Sequence, residues 1–168
     1  MAHFSVDQVI SAEPDAVQAA FCDDRLYPAL GALPGIAPPE VLEKEERDGQ
    51  VCLRIRYRFN GSLAPPARAV LDPARLSWID SSTIDVQARH TQWEILPEHY
   101  GRNLSCTGEY TFLPGAGGRT TQHIEGDLRV RWPLVGPIVE RALLTGLRQH
   151  LAGEADIVER FVNGQAGP

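Results

Sequence analysis

Residues 131–163 read RWPLVGPIVERALLTGLRQHLAGEADIVERFVN. Within them Val135, Ile138, Val139, Ala142, Leu143, Leu147, Leu151, Ala155, Val158 and Val162 recur at steps of three and four. This is the period of a helix with one apolar stripe. It predicts a single helix over 134–162, about seven turns long at roughly 3.6 residues per turn. Asn163-Gly164 supplies the stop, and 164–168 read as a flexible tail. A stripe of that length must bury itself against another layer of structure.

The preceding residues supply a sheet. Residues 51–59 alternate without a fault: Val51, Leu53, Ile55, Tyr57 and Phe59 face one way, Cys52, Arg54, Arg56 and Arg58 the other. Alternation of this kind marks a strand with one buried face. Asp48-Gly49 is a two-residue hairpin signal joining it to a strand over 41–47. Further strands are marked by Leu76, Trp78, Ile84 and Val86, then by Thr91, Trp93 and Ile95 with the parity switched near Gln87–Arg89. Leu104, Cys106, Tyr110 and Phe112 define another. Ile124, Gly126, Leu128 and Val130 define the last, after a Gly115-Ala116-Gly117-Gly118 hairpin loop. Segment 62–74, with Pro65, Pro66 and Pro73, reads as a long loop or edge. At the N-terminus Phe4, Val6, Gln8 and Ile10 alternate as a first strand. Pro14 then suits the first turn of a helix, and a second short helix follows over 25–33. The order is strand, two short helices, six-strand meander, long helix. A twisted sheet of that length curls, and the terminal helix can cover its concave face.

Bulk properties fit one domain over 1–163. At 168 residues the chain buries roughly 69% of its unfolded surface, enough for a core without metal or disulfides. The net charge of −6 repels phosphate backbones, which argues against nucleic acid as a partner. Three cysteines, Cys22, Cys52 and Cys106, are spaced for neither a disulfide framework nor zinc, so free thiols are expected. There is no signal-peptide pattern and no apolar run long enough to span a membrane. The sequence therefore points to a cytoplasmic protein without integral membrane contact.

Several clusters resemble chemistry but have plainer readings. His123 and Glu125 share a strand face that could offer an acid–base or metal pair, but Ile124 takes the core side and leaves both outside. Arg54, Arg56 and Arg58 are expected to pair with Glu43 and Glu45 across the hairpin. The glycines at 115, 117 and 118 precede a strand, so they form no phosphate loop. No cofactor motif and no metal-ligand spacing is present.

The inward faces carry more information. Tyr57, Trp78, Asp80, Ser82, Thr91, Trp93 and Tyr110 all fall on them. A core that only filled space would favour Leu, Ile and Val, and a buried hydroxyl or carboxylate needs a partner. A few polar groups in an apolar setting are how pockets orient ligands.

The element order resembles the START-like (SRPBCC) superfamily, whose fold is the helix-grip. The resemblance covers about residues 3–162. It rests on the strand-to-helix passage Ser11-Ala12-Glu13-Pro14-Asp15-Ala16-Val17 and on the last strand paired with the terminal helix through Arg131-Trp132-Pro133-Leu134-Val135-Gly136-Pro137-Ile138-Val139-Glu140. Within the superfamily it is most similar to an uncharacterised bacterial domain family, DUF2505. The resemblance implies an α+β fold: a curved antiparallel sheet of about seven strands with the long helix across its concave face. It also implies a cavity between sheet and helix for a small hydrophobic molecule such as a lipid, sterol, polyketide or aromatic compound. The expected lining is Tyr57, Trp78, Thr91, Trp93, Cys106 and Tyr110 from the sheet, with Ile138, Ala142, Leu143 and Leu147 from the helix. With no catalytic motif to carry over, binding or carriage of such a molecule is the first reading. A cyclase- or dehydratase-like enzyme using the same cavity is the second, and a protein-interaction module with a filled core the third.

Overall fold

The structure, a computed structural model, describes residues 1–164. Strand β1 spans Ala2–Ile10, followed by helices α1 (Pro14–Cys22) and α2 (Leu26–Ala29). The other strands are β2 (Gly35–Ile36), β3 (Glu40–Arg47), β4 (Gln50–Asn60), β5 (Ser77–Asp85), β6 (His90–Pro97), β7 (Leu104–Pro114) and β8 (Thr120–Val130). A one-turn helix α3 (Pro65–Arg68) interrupts the long connection after β4, and α4 (Gly136–Val162) closes the chain. The sheet runs β1-β8-β7-β6-β5-β4-β2, with β3 also paired to β4, and every pairing is antiparallel. This is the helix-grip fold, with the two-residue β2 as an eighth strand.

Turn chemistry sets the register. Asp48 and Gly49 both adopt positive φ, 53° and 78°, the conformation that a tight hairpin between β3 and β4 demands. Arg89, at φ 51°, does the same between β5 and β6 and accounts for the switched parity. A register shift between Val41 and Glu43 sets Glu43 opposite Arg54 but Glu45 opposite Cys52. Glu43 and Arg54 are thus cross-strand neighbours as expected, whereas the pairing through Glu45 is corrected: the ion pairs of the β4 arginines join Arg56 to Glu98 at 3.1 Å and to Glu40 at 3.6 Å.

The helix also starts later than the stripe predicts. Leu134 takes a left-handed φ of 69° and is 97% exposed. Gly136 N–H reaches back to the Trp132 carbonyl, and the regular helix begins only there. The segment read as a long loop contains α3, because Pro65 and Pro66 suit a helix's first turn. The expected tail, apart from Gly164, lies outside the described residues.

Apolar packing falls into three groups along α4. At the helix start Val139 is sealed against Ala67 and Leu71. At its end Ala155, Ile157 and Val158 join Ile10, Val17, Phe21, Leu26 and Leu30. Under its middle only Phe4, Cys106, Ile124 and Leu128 are fully buried; Trp93, Leu143, Leu144, Leu147 and Leu151 remain partly accessible.

The floor of this middle region is flattened by two glycines. Register places Trp93, Gly108, Gly126 and Phe4 in one row across β6, β7, β8 and β1. A side chain at Gly108 would strike the Trp93 ring and the Glu125 carbonyl, and one at Gly126 would strike Phe4. The two rings thus lie over the glycines and stack on each other, centroids 6.2 Å apart. Gly108→Ala is expected to lift Trp93 and destabilise the fold by about 1–3 kcal/mol, as overpacking does. Urea unfolding of the variant checks this; unchanged stability would contradict the row.

Candidate functional site

β4 and β5 bring the central groups together. Their register sets Tyr57 beside Trp78, Ile55 beside Asp80 and Leu53 beside Ser82, all on the concave face. Tyr57 and Trp78 stack almost parallel, centroids 5.7 Å apart and 3° between planes. His150, from the middle of α4, meets Tyr57 edge-on at 6.0 Å. One turn further on, Glu154 lies 3.5 Å from His150 Nε2. Ser82 donates a 2.7 Å hydrogen bond to Asp80 Oδ1. Beyond Asp80, Phe21, Tyr110 and Phe112 form an aromatic triad, and the Tyr27 hydroxyl is spent on the Phe21 carbonyl at 2.6 Å.

Burial along the concave face is uneven. Both ends of α4 are sealed, with Val139 and Val158 at 0% exposure. Between them Trp78, Asp80, Ser82, Trp93, Ile95 and Tyr110 keep accessible surface although they face the helix side, as do Leu143, Leu147, His150 and Leu151 opposite. Residues crowded by protein yet still accessible are what line an internal space.

Titration follows from this setting. Burial raises the Asp80 carboxyl from 3.8 to about 6; the Ser82 hydrogen bond opposes the rise, the Glu154 charge adds to it and His150 opposes it. Burial works against a charged His150, but Glu154 and Asp80 outweigh it and raise the imidazole's pKa above its ordinary value. Burial also pushes the Tyr57 and Tyr110 phenols well up, and the Cys106 thiol to about 12.

The family model for "Protein of unknown function (DUF2505)" matches residues 5–162. The chain belongs to the DUF2505 family. No curated protein matches it in sequence. Among solved structures the DUF2505 chain is similar to TTHA0849 from Thermus thermophilus, at 15% identity and a TM-score of 0.70, covering 99% of this chain and 100% of that one. It is also similar to the Zhui aromatase/cyclase from Streptomyces sp. R1128, at 16% identity, a TM-score of 0.67 and 99% of both chains. Norcoclaurine synthase from Thalictrum flavum matches at 18% identity and a TM-score of 0.62, over 96% of this chain and 86% of that one. At these identities the likeness establishes the fold.

The structure gathers most of the residues expected on the inward faces. In this DUF2505 chain Trp93, Cys106, Tyr110, Leu143 and Leu147 share one cluster, and Tyr110 joins it to Tyr57 and Trp78 in the next. Thr91 is buried with its hydroxyl beside the Tyr110 phenol, and Ala142 is half-buried. Ile138 is a correction: it is 49% exposed at the edge of the stripe, while its neighbour Val139 is buried. His150 and Glu154 are additions that the apolar pattern does not single out. They stand on the inward stripe beside Leu147, Leu151 and Ala155, and a stripe read for apolar residues alone passes over them. His123 is on the convex face between Asp7 and Glu125, which raise its pKa. Among the described residues no group of three or more His, Cys, Asp or Glu is placed to hold a metal ion, and no helix is long and apolar enough to cross a membrane. An open groove of about 560 Å³, lined by Ser81, Thr83, Glu94, Glu109 and Asp127 among others, also lies on the convex side, but its carboxylates make it a poor seat for an apolar molecule.

Two outcomes follow. The folded chain holds the Asp80 proton more tightly than the unfolded one, so stability falls as pH rises from about 4 to 6. The raised His150 acts in the same sense at higher pH. Asp80→Asn should therefore exceed wild type by up to about 3 kcal/mol above pH 6 and lose that advantage below pH 4, in denaturant melts across pH. All three cysteines are free. With an aromatic disulfide reagent the exposed Cys52 should react first, the half-buried Cys22 slowly, and the buried Cys106 only on unfolding.

Proposed function

We propose that this chain binds and carries a small, mostly apolar molecule in the space between α4 and the concave sheet face. The observation that supports it is the accessible surface left on Trp78, Asp80, Ser82, Trp93 and Tyr110 beneath a helix whose ends are sealed. The aromatic walls suit a flat or ring-bearing body, and the few polar groups suit one functional group at a fixed end. Proteins of the same fold include one solved with dopamine and hydroxybenzaldehyde and others described as aromatase/cyclases, which accords with a ligand in this place. A cytoplasmic carrier, with lipids among its candidate cargoes, is the form this reading takes.

A second reading draws on Asp80. A carboxyl that exchanges its proton near pH 6, beside an imidazole held by Glu154, has the properties of an acid–base pair for a cyclisation or dehydration. Turnover would then occur in the same space, and binding remains its first step.

Leu147 is in the middle of the helix's inward stripe, above the Phe4–Trp93 floor. Titration with the uncharged fluorophore N-phenylnaphthylamine should show saturable binding to wild type, displaced by members of a lipid, sterol and aromatic panel. Leu147→Trp should abolish it while costing only about 1–3 kcal/mol of stability. A wild type that binds nothing from the panel, with a variant that barely folds, would instead favour a filled core acting as a protein-interaction module.

A further inference from the structure

We propose that the molecule held under α4 carries a basic amine, which Asp80 receives as an ammonium group while the apolar body lies against Trp78 and Trp93. The inference rests on the binding reading above and adds the chemical class of the ligand.

The charges around the space point to a cation. β5 contributes Asp80 and Ser82; β4 contributes Tyr57, β6 Thr91, and β7 Cys106 and Tyr110. α4 contributes His150 and Glu154, and Tyr27 and Cys22 approach from the short helices. None of these is Lys or Arg; the one lysine on this face, Lys44 of β3 in the row of Leu53 and Ser82, is paired with Glu46 at 3.5 Å. Glu154 is answered by His150 at 3.5 Å. Asp80 has only the Ser82 hydroxyl on Oδ1; among the described residues its Oδ2 accepts no hydrogen bond and no cationic nitrogen lies within 4 Å. Thr91 Oγ1, buried on the same face, has only the Tyr110 phenol beside it.

A half-buried carboxylate whose one nearby cationic group, His150, is already paired with Glu154 is costly to ionise unless a partner arrives. An anionic ligand would add a third negative charge to the site. A neutral one could donate a hydrogen bond to Asp80 but would bring no counter-charge. An ammonium group offers up to three donors to Asp80 Oδ2 and its neighbours, and the stacked Tyr57–Trp78 faces next to it attract cations. Ionised Asp80 is the form that pairs, so affinity for an amine should climb roughly tenfold between pH 5 and 7.5 as a carboxyl with a pKa of about 6 loses its proton.

The test compares three probes of one shape, phenylbutylamine, phenylbutanol and phenylbutyrate, by displacement of N-phenylnaphthylamine. At pH 7.5 the amine should bind at least about tenfold more tightly than the alcohol, and the acid most weakly. The gap should narrow toward pH 5 and vanish in Asp80→Asn. The ratio of amine to alcohol is read within each protein, so a general change in affinity cancels. An amine no better than the alcohol, or a preference that survives Asp80→Asn, overturns the inference while leaving the binding reading intact. Tighter binding of the alcohol at low pH also overturns it and makes Asp80 a proton donor. Failure of the fluorophore to bind wild type removes the binding reading and this inference with it.

Discussion

The pinning of α4 at its two ends governs the rest of the molecule. Val139 is locked against Ala67 and Leu71 at the start, and Val158 against the α1 and β1 cluster at the end. Each buried valine contributes about 1.5–3 kcal/mol. Two such anchors, most of the 27-residue helix apart, hold a stiff rod across a curved surface. A straight helix cannot follow a concave sheet along its whole length. Under its middle the inward residues keep accessible surface, and the Phe4–Trp93 row lies flat on two glycines.

The polar side chains under the middle include ionisable ones, whereas the buried polar groups near the end anchor, Gln18 and Gln122, are neutral amides bonded to the Val86 carbonyl and to Gln8. Asp80, Ser82, His150 and Glu154 all lie between the two anchors and are half-buried. Near either anchor, dehydration would leave them without partners. Where space remains, a bound molecule or water can complete their hydrogen bonds. Burial, only partly offset by the Ser82 hydrogen bond and the His150 charge, is what raises the Asp80 carboxyl. Folding on these terms gives up some stability at neutral pH, a pattern seen where a local rule is broken for a functional reason.

The fold is legible in the sequence because its two periods are strong. The unbroken alternation of 51–59 and the ten-position stripe of α4 each allow one reading, and together they require a sheet with a helix on it. Parity likewise puts Tyr57, Trp78, Thr91, Trp93, Cys106 and Tyr110 on the concave face of the sheet. Boundaries are less legible. The left-handed turn at Leu134 has no glycine to announce it, so the stripe predicts a helix two residues too long, and apolar character alone does not show that Ile138 lies at the stripe's exposed edge. The one-residue slip in β3 is hidden as well, since a run of Glu and Lys has no apolar phase from which a bulge can be read. His150 and Glu154 escape notice because each, taken alone, looks like an ordinary surface residue. Only the register of β5 beneath α4 brings them near Asp80.

The central claim is that the gap under α4 holds a small molecule. Native mass spectrometry of the intact chain, purified gently from the cells that make it, tests this most directly. The account predicts an ion carrying one small organic adduct that is lost on collisional activation. An ion with the bare mass of the chain under the gentlest conditions, unchanged after incubation with a broad set of apolar compounds, would contradict it.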